Sequence, residues 1–338
     1  MIPVQNLYYL LCYAWDVLPE RNYVNVNAED ISTLPDLLAS MLINGLAHQA
    51  KRGFPCNYSE ISDSYAGVKG KIDFNLSLTS QTFQQGKIIC TYDEFLINRQ
   101  FSGTLKTTLM DISKTKGLSE SLRKRTLHWL KYFSSIEYLP LSKSIFSHQL
   151  MRTRSVSERF LLHVCQLINE SLLINEQSGS HILKDFWRDE RSMAILFEAF
   201  VRNFYRIEQK TYNVRREVIH WQLNSNEFDS RLLPIMRTDI TLENMERKLI
   251  IDTKFYAGIF QQYFNVQKLH SPHLYQLFAY LKNQSNKERR CDGMLLYPTV
   301  SQTLSSVYSE ANHTIHMETI NLNQPWQNIK LDLLKLIS

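Results

Sequence analysis

Two acidic residues and a lysine have the types and spacing for metal-assisted phosphodiester hydrolysis. The segment RTDITLENMERKLIIDTKFY, residues 237–256, carries Asp239 in one extended run and Asp252 and Lys254 in the next. Carboxylate oxygens suit a hard cation such as Mg²⁺, with Mn²⁺ as an alternative ion. A metal so held can activate water and neutralise charge on a phosphate. Lys254 would stabilise the transition state, or help to position and deprotonate the attacking water.

The period of a β-strand decides which of these side chains meet. In LIIDTKFY, the alternation places Asp252 and Lys254 on one face with Ile250, while Leu249, Ile251 and Phe255 share the other. The preceding run LLPIMRTDITL reads as a second strand, joined through the polar residues 243–247 to an antiparallel partner. That hairpin would bring Asp239 beside Asp252. The alternative is an exposed hairpin with solvated side chains or a weak cross-strand ion pair.

Two helical segments flank the hairpin. In RSMAILFEAFVRNFYRIE, Glu198 falls within a helix-spaced apolar stretch, so it either reaches the metal site or lies at the surface edge of an amphipathic helix. In SPHLYQLFAYLKN, Gln276 and Tyr280 are four residues apart and share one helix face. Taken alone, that pair is consistent with packing plus a surface amide.

The order of these features resembles the PD-(D/E)xK nuclease superfamily, particularly its RecB-like branch. Asp239 follows Thr238 where many members have proline, and Asp252 stands where many have glutamate. Nearly end to end, the chain is similar to the McrC family, the nuclease subunits of McrBC modification-dependent restriction systems. This resemblance is carried by the segments IPVQNLYYLLCYAW, GVKGKIDF, NRQFSGTLK, LLPIMRTDITL…KLIIDTKFY and HLYQLFAYL…GMLLYPTV.

The resemblance implies a role for each candidate residue. It implies metal binding by Asp239 and Asp252, catalysis by Lys254, support of the site by Glu198, and DNA or phosphate positioning by Gln276 and Tyr280. It also implies double-stranded modified DNA as substrate and, as partner, a McrB-like AAA+ GTPase ring that recognises methylated cytosine and whose GTP hydrolysis this chain stimulates. The other class of function is a non-catalytic adaptor of the ring with a vestigial nuclease fold.

Composition sets broad limits. The chain has 338 residues, of which 44% are hydrophobic and 21% are charged, so it can bury substantial cores. Its net charge of +5 is compatible with binding to DNA. The five cysteines show no CxxC spacing, which fits reduced thiols in a cytoplasm. No GxxxxGK[ST] phosphate-binding loop occurs, so we expect no nucleotide on this chain itself. The apolar run from Leu7 to Trp15 is too short for a bilayer span, and no membrane role is expected.

Two domains are expected, with a mixed α/β fold. Ser155 followed by Glu158 is a capping-box signature that places a helix start after residue 150. We therefore predict an N-terminal α+β module, residues 1–150, and a PD-(D/E)xK α/β domain, residues 151–338. The first lacks a catalytic constellation and is predicted to dock on the NTPase partner. Because double-strand cleavage needs two cuts, pairing of nuclease subunits is a further hypothesis.

Overall fold

A computed structural model gives the fold of residues 2–18, 31, 33–174, 181–183, 189–223, 232–255, 260–263, 266–269, 271–284, 290–300, 303–310 and 313–338. Helices and strands mix along the chain. The helices are α1 (Val4–Ala14), α2 (Leu34–Arg52), α3 (Phe74–Thr79), α4 (Arg99–Ser113), α5 (Glu120–Tyr132), α6 (Lys143–Arg152), α7 (Val156–Ser171), α8 (Glu190–Glu208), α9 (Ser271–Lys282) and α10 (Trp326–Lys335).

The strands confirm the expected mixed α/β class. In chain order they are β1 (Cys56–Tyr65), β2 (Lys71–Ile72), β3 (Ile88–Ile97), β4 (Leu172–Ile174), β5 (His181–Leu183), β6 (Asn213–Arg215), β7 (Val218–Ile219), β8 (Met236–Arg237), β9 (Ile240–Glu243), β10 (Arg247–Thr253), β11 (Phe260–Tyr263), β12 (Val266–Leu269), β13 (Arg290–Thr299), β14 (Ser305–Glu310) and β15 (His313–Asn321).

The chain divides into two units. The sheet unit comprises Met1–Leu37 and Lys184–Ser338, and the inserted unit comprises Leu38–Leu183. The predicted domains are residues 1–150 and 151–338. In the structure, the first 37 residues instead belong to the same unit as the C-terminal part of the chain, and the inserted unit extends beyond residue 150 to Leu183. Within the sheet unit, α1 packs on α8 and buries Tyr13 against Phe200 and Phe204. An N-terminal helix therefore belongs to the same core as residues nearly two hundred positions later.

The capping-box helix belongs to the inserted unit. Ser155 Oγ accepts from the Glu158 amide at 3.5 Å, so the predicted start of α7 is confirmed. The helix then packs against α4 and buries Phe160 and Leu161 beside Gly45 of α2. A Cβ at Gly45 would lie 2.8 Å from Leu161 Cδ2, so the glycine permits the close approach of α7. The inserted unit also contains an antiparallel sheet of order β1-β3-β2.

A six-stranded mixed sheet forms the centre of the sheet unit. Its order is β14-β15-β13-β10-β9-β6. Strands β10, β13 and β15 are parallel neighbours, whereas β9, β6 and β14 run antiparallel to the strands beside them. The predicted antiparallel hairpin is β9 and β10, and the predicted buried strand GMLLYPTV lies in β13 except for its last residue, Val300.

Each face of this sheet buries a separate core. Leu249 and Ile251 of β10 pack with α1, α8 and α10, whereas Ile250 packs on the opposite face with Leu277 and Tyr280 of α9. This is the alternation predicted for LIIDTKFY. Because Asp252 and Lys254 continue the Ile250 face, they point toward α9. Within the described residues, no helix is long and apolar enough to cross a membrane.

Candidate active site

The candidate site lies at the carboxyl end of β10. Asp239 Oδ2 accepts hydrogen bonds from the amide nitrogen of Thr253 at 2.9 Å and from its hydroxyl at 3.0 Å. Thr253 is the residue between Asp252 and Lys254. The predicted meeting of Asp239 with the Asp-Thr-Lys segment is therefore present, and Thr253 makes the contact.

The sequence predicts Asp239 within a strand, but the residue lies in the short connection between β8 and β9. The extended run divides there because the chain changes partners, β8 pairing with β7 and β9 pairing with β10. Thr238 fixes the change. Its amide donates to the Glu217 carbonyl at 2.9 Å, and its hydroxyl accepts from the Glu217 amide at 2.9 Å. The connection turns Asp239 toward the end of β10.

Asp252 is a fully buried carboxylate, with 0% exposure. Its Oδ2 lies 2.7 Å from Lys254 Nζ. Apart from this ion pair, neither oxygen receives a hydrogen bond from any residue that the structure describes. Burial raises the pKa of Asp252 to about 7; Lys254 opposes the shift, and the charges of Asp239 and Glu198 add to it. A buried carboxylate with unsatisfied oxygens is costly unless something else binds it.

Lys254 begins a chain of hydrogen bonds through α9. Its Nζ donates to Gln276 Oε1 at 2.9 Å, and Gln276 Nε2 donates to Tyr280 Oη at 2.7 Å. Tyr280 in turn donates to the backbone carbonyl of Arg237 at 3.0 Å. Burial raises the pKa of Tyr280, so its hydroxyl remains a proton donor at neutral pH. The predicted Gln276 and Tyr280 pair thus orients Lys254 and ties α9 to the strand that precedes Asp239.

Glu198 is held by two arginines. Its Oε1 accepts from Arg202 Nη1 at 2.7 Å, one helical turn along α8, and also from Arg216 Nη2. No hydrogen bond or ion pair among the described residues joins Glu198 to Asp239, Asp252 or Lys254. The preceding residue, Phe197, packs against Phe255 with ring centroids 6.5 Å apart, which brings this part of α8 near the end of β10.

The carboxylates fit a divalent metal ion. The Oδ1 of Asp252, which has no partner among the described residues, and the oxygen of Asp239 that Thr253 leaves available are hard ligands of the kind that Mg²⁺ binds. In the described parts of the chain, no group of three or more His, Cys, Asp and Glu side chains is arranged to hold a metal. The fit therefore rests on two carboxylates, with water completing the coordination that Mg²⁺ prefers.

Sequence reasoning missed the two arginines at Glu198. Arg202 follows Glu198 by four residues on a predicted helix, a spacing that favours an ion pair and could have indicated it. Arg216 carries no comparable signal, because it reaches Glu198 only after β6 pairs with β9 in the sheet.

Comparison with known proteins supplies the context of this site. Residues 4–298 match the family model described as McrBC 5-methylcytosine restriction system component. The chain belongs to this family. The chain is also similar to individual proteins along almost its whole length.

Two such similarities concern a curated protein and a solved structure. The chain is 30% identical over 338 residues to the Type IV methyl-directed restriction enzyme EcoKMcrBC of Escherichia coli strain K12, covering 99% of this chain and 97% of that protein. It also resembles a chain of the half-complex of Thermococcus gammatolerans McrB AAA+ hexamers with bound McrC, with a TM-score of 0.60 and 13% identity. That match covers 98% of this chain and 76% of the other. At this identity, the structural match supports the fold alone.

Proposed function

We propose that this McrBC-family chain is the Mg²⁺-dependent endonuclease subunit of a modification-dependent restriction complex, with a PD-(D/E)xK type site. The observation that carries the proposal is Asp252, a fully buried carboxylate whose one contact among the described residues is the ion pair from its Oδ2 to Lys254 Nζ. A second fully buried carboxylate in this sheet has more ion-pair partners. Asp292, also 0% exposed, is paired with Arg247 and Arg290. Asp252 is the carboxylate left open for a ligand.

Each residue has a distinct role in this proposal. Asp239 and Asp252 hold the metal ion, and Thr253 fixes Asp239 in the required orientation. A bound Mg²⁺ would supply Lewis acidity at the phosphate and lower the pKa of its bound water. Lys254 places its positive charge beside Asp252, where it stabilises the charge that develops on the phosphate as water adds and a P–O bond breaks.

Gln276 and Tyr280 are positioning residues. Lysine has a flexible side chain, and a misplacement of about 1 Å in a catalytic group can cost roughly 10²-fold in rate. The bond from Lys254 to Gln276 restricts that freedom, and Tyr280 anchors the amide to the backbone beside Asp239. The resemblance implies DNA or phosphate positioning for the pair, and this role achieves such positioning through Lys254.

The same proposal includes a partner. The relative in the solved complex is bound to McrB AAA+ hexamers, and this chain contains no phosphate-binding loop of its own. We infer that a McrB-like AAA+ GTPase ring engages the N-terminal part of the chain, residues 1–150, and directs it to 5-methylcytosine-containing double-stranded DNA. Pairing of two nuclease subunits would supply the second cut.

Reconstitution with such a ring tests the proposal. The full chain and its ring are incubated with methylated or unmethylated plasmid, GTP and Mg²⁺, and both linear DNA and released phosphate are measured. We expect cleavage of methylated DNA that EDTA abolishes. GTPase stimulation by the wild-type chain without cleavage, under Mg²⁺ or Mn²⁺, would instead identify an adaptor with a vestigial nuclease fold.

A further inference from the structure

Glu198 binds the guanidinium groups of Arg202 and Arg216, which have no role in the proposed hydrolysis of a phosphodiester. Arg202 and Arg216 both donate to Glu198 Oε1, and Glu198 is the partner found for each guanidinium among the described residues. A guanidinium has five N–H donors, and one carboxylate oxygen uses few of them. Most donors on the pair are therefore available to another acceptor.

Backbone hydrogen bonds fix Arg216 close to the catalytic carboxylates. The next residue, Glu217, is joined to Thr238 by its amide and its carbonyl, each bond 2.9 Å long. Thr238 immediately precedes Asp239. The segment that carries Arg216 is thus clamped to the connection that carries Asp239, and its position does not depend on the ion pair with Glu198.

Glu198 places the same arginines near Asp252 from the other side of the sheet. Helix α8 packs on the sheet face opposite α9, and Phe197, which precedes Glu198, packs against Phe255, the residue after Lys254, with ring centroids 6.5 Å apart. The Arg216 side chain is 47% exposed and that of Arg202 is 23% exposed. Part of each side chain is therefore accessible to solvent.

We propose that Arg216 and Arg202 bind a phosphate of the DNA backbone beside the Asp239–Asp252 site, and that Glu198 positions this pair without binding metal. Arginine suits this task because its planar fork matches two phosphate oxygens. The carboxylate of Glu198 also keeps the guanidiniums from pairing with Asp239 or Asp252, which must remain open for the metal. The proposal rests on the proposed nuclease function but concerns binding, so it can be measured without cleavage.

A matched pair of arginines allows a direct test. Arg206 lies on α8, is 47% exposed like Arg216, and is ion-paired with Asp16 at 2.7 Å. The full chain, in EDTA and at several salt concentrations, is titrated onto a fluorescein-labelled DNA duplex of about 30 base pairs, long enough to cover several phosphate contacts. Arg216→Ala should lower affinity roughly three- to tenfold and reduce the slope of log K against log salt by about one. Arg206→Ala should leave both unchanged.

Two further variants separate binding from structure. Arg216→Lys retains the charge without the fork and should give an affinity between wild type and Arg216→Ala. Glu198→Gln removes a negative charge and should raise affinity about two- to fivefold in EDTA, since the local charge becomes more positive. An affinity of Glu198→Gln in EDTA at or below that of wild type would contradict this charge effect.

The binding measurements test the phosphate-binding role separately from the proposed nuclease activity. Equal effects of Arg216→Ala and Arg206→Ala, or no binding of the duplex by the wild-type chain, would overturn the phosphate-binding role. A loss of melting temperature in Arg216→Ala with an unchanged salt slope would do the same, because it indicates a structural ion pair. A chain that binds the duplex as expected but never cleaves DNA would contradict the nuclease proposal and would still support the phosphate-binding role of Arg216 and Arg202.

Discussion

Asp239 and Thr253 are joined by two hydrogen bonds to a single carboxylate oxygen, 2.9 Å from the Thr253 amide and 3.0 Å from its hydroxyl. One of the two bonds is donated by the backbone amide of Thr253, so it remains after any substitution of Thr253 except proline. The other depends on the side chain. The bond from the Thr253 amide therefore maintains the position of Asp239, and the bond from the Thr253 hydroxyl completes the orientation of its carboxylate.

Thr253→Val tests this orientation. The valine keeps the shape and the amide bond but loses one hydrogen bond, worth about 1 kcal/mol. We expect the Mg²⁺ concentration for half-maximal cleavage to rise roughly fivefold, since about 1.4 kcal/mol corresponds to a factor of ten. Thr253→Ser, which keeps the hydroxyl, should resemble wild type. Identical metal dependence of the valine and serine variants would show that the hydroxyl has no role.

Gln276 and Tyr280 should affect turnover more than DNA binding. Removing Gln276 with alanine frees Lys254 from its amide acceptor, and we expect kcat to fall roughly 10- to 100-fold with KM nearly unchanged. Tyr280→Phe removes only the bond to the Arg237 carbonyl and the acceptor for Gln276, so a smaller loss is expected. Tyr275, exposed on the same helix, provides the control as Tyr275→Phe. A rise in KM with constant kcat would favour the direct phosphate contact instead.

The raised pKa of Asp252 predicts an unusual dependence of stability on pH in the absence of metal. A carboxyl whose pKa is higher in the folded state than its ordinary 3.8 holds its proton more tightly when folded. Stability contributed by this group is therefore present below about pH 4 and is lost as pH rises toward about 7. Asp252→Asn removes this loss. In EDTA, the asparagine variant should gain roughly 1–3 kcal/mol over wild type at pH 8, with the difference shrinking at pH 5.

Denaturant unfolding at the two pH values measures that difference. Lys254 loses its carboxylate partner in the variant but retains Gln276, which limits the opposing cost. A wild-type protein that is more stable than Asp252→Asn at pH 8 in EDTA, by a margin that grows with pH, would contradict the assigned direction.

Metal binding should reverse the order of the two proteins. An ion that binds the folded state stabilises it in proportion to the logarithm of its concentration above its dissociation constant. We expect Mg²⁺ or Mn²⁺ to raise the melting temperature of wild type and to leave Asp252→Asn unaffected. Asp332→Asn, which changes a half-exposed carboxylate of the sheet unit, should respond as wild type does. Equal stabilisation of all three proteins would mean that the ion binds elsewhere.

Strand and helix periods are sufficient to predict much of the site. They place Asp252 and Lys254 on one face of a strand, and Gln276 and Tyr280 on one face of the following helix, because these relationships are local and repeat with fixed period. The structure has both pairs so arranged, and it joins them through the bond from Lys254 to Gln276.

Relationships that depend on distant pairing cannot be obtained from the sequence in this way. The acceptor of Tyr280 is a backbone carbonyl, which has no signature in residue type. Arg216 meets Glu198 through the arrangement of the sheet, and α1 joins the core of α8 although the inserted unit separates them in sequence. The predicted boundary near residue 150 likewise follows a true helix start at Ser155, but burial of Phe160 and Leu161 decides which core that helix joins.

The most direct test of the account is cleavage by Asp252→Ala and Lys254→Ala in the reconstituted complex with the AAA+ ring. Lys248, on the same strand and also buried in an ion pair, gives the control Lys248→Gln. The account predicts that both site variants lose cleavage of methylated DNA, by at least about 10³-fold in rate, while they still bind the ring and stimulate GTP hydrolysis as wild type does. The control should keep both activities at a temperature where it is folded. Retention of cleavage by either site variant, in Mg²⁺ or Mn²⁺, would contradict the central claim.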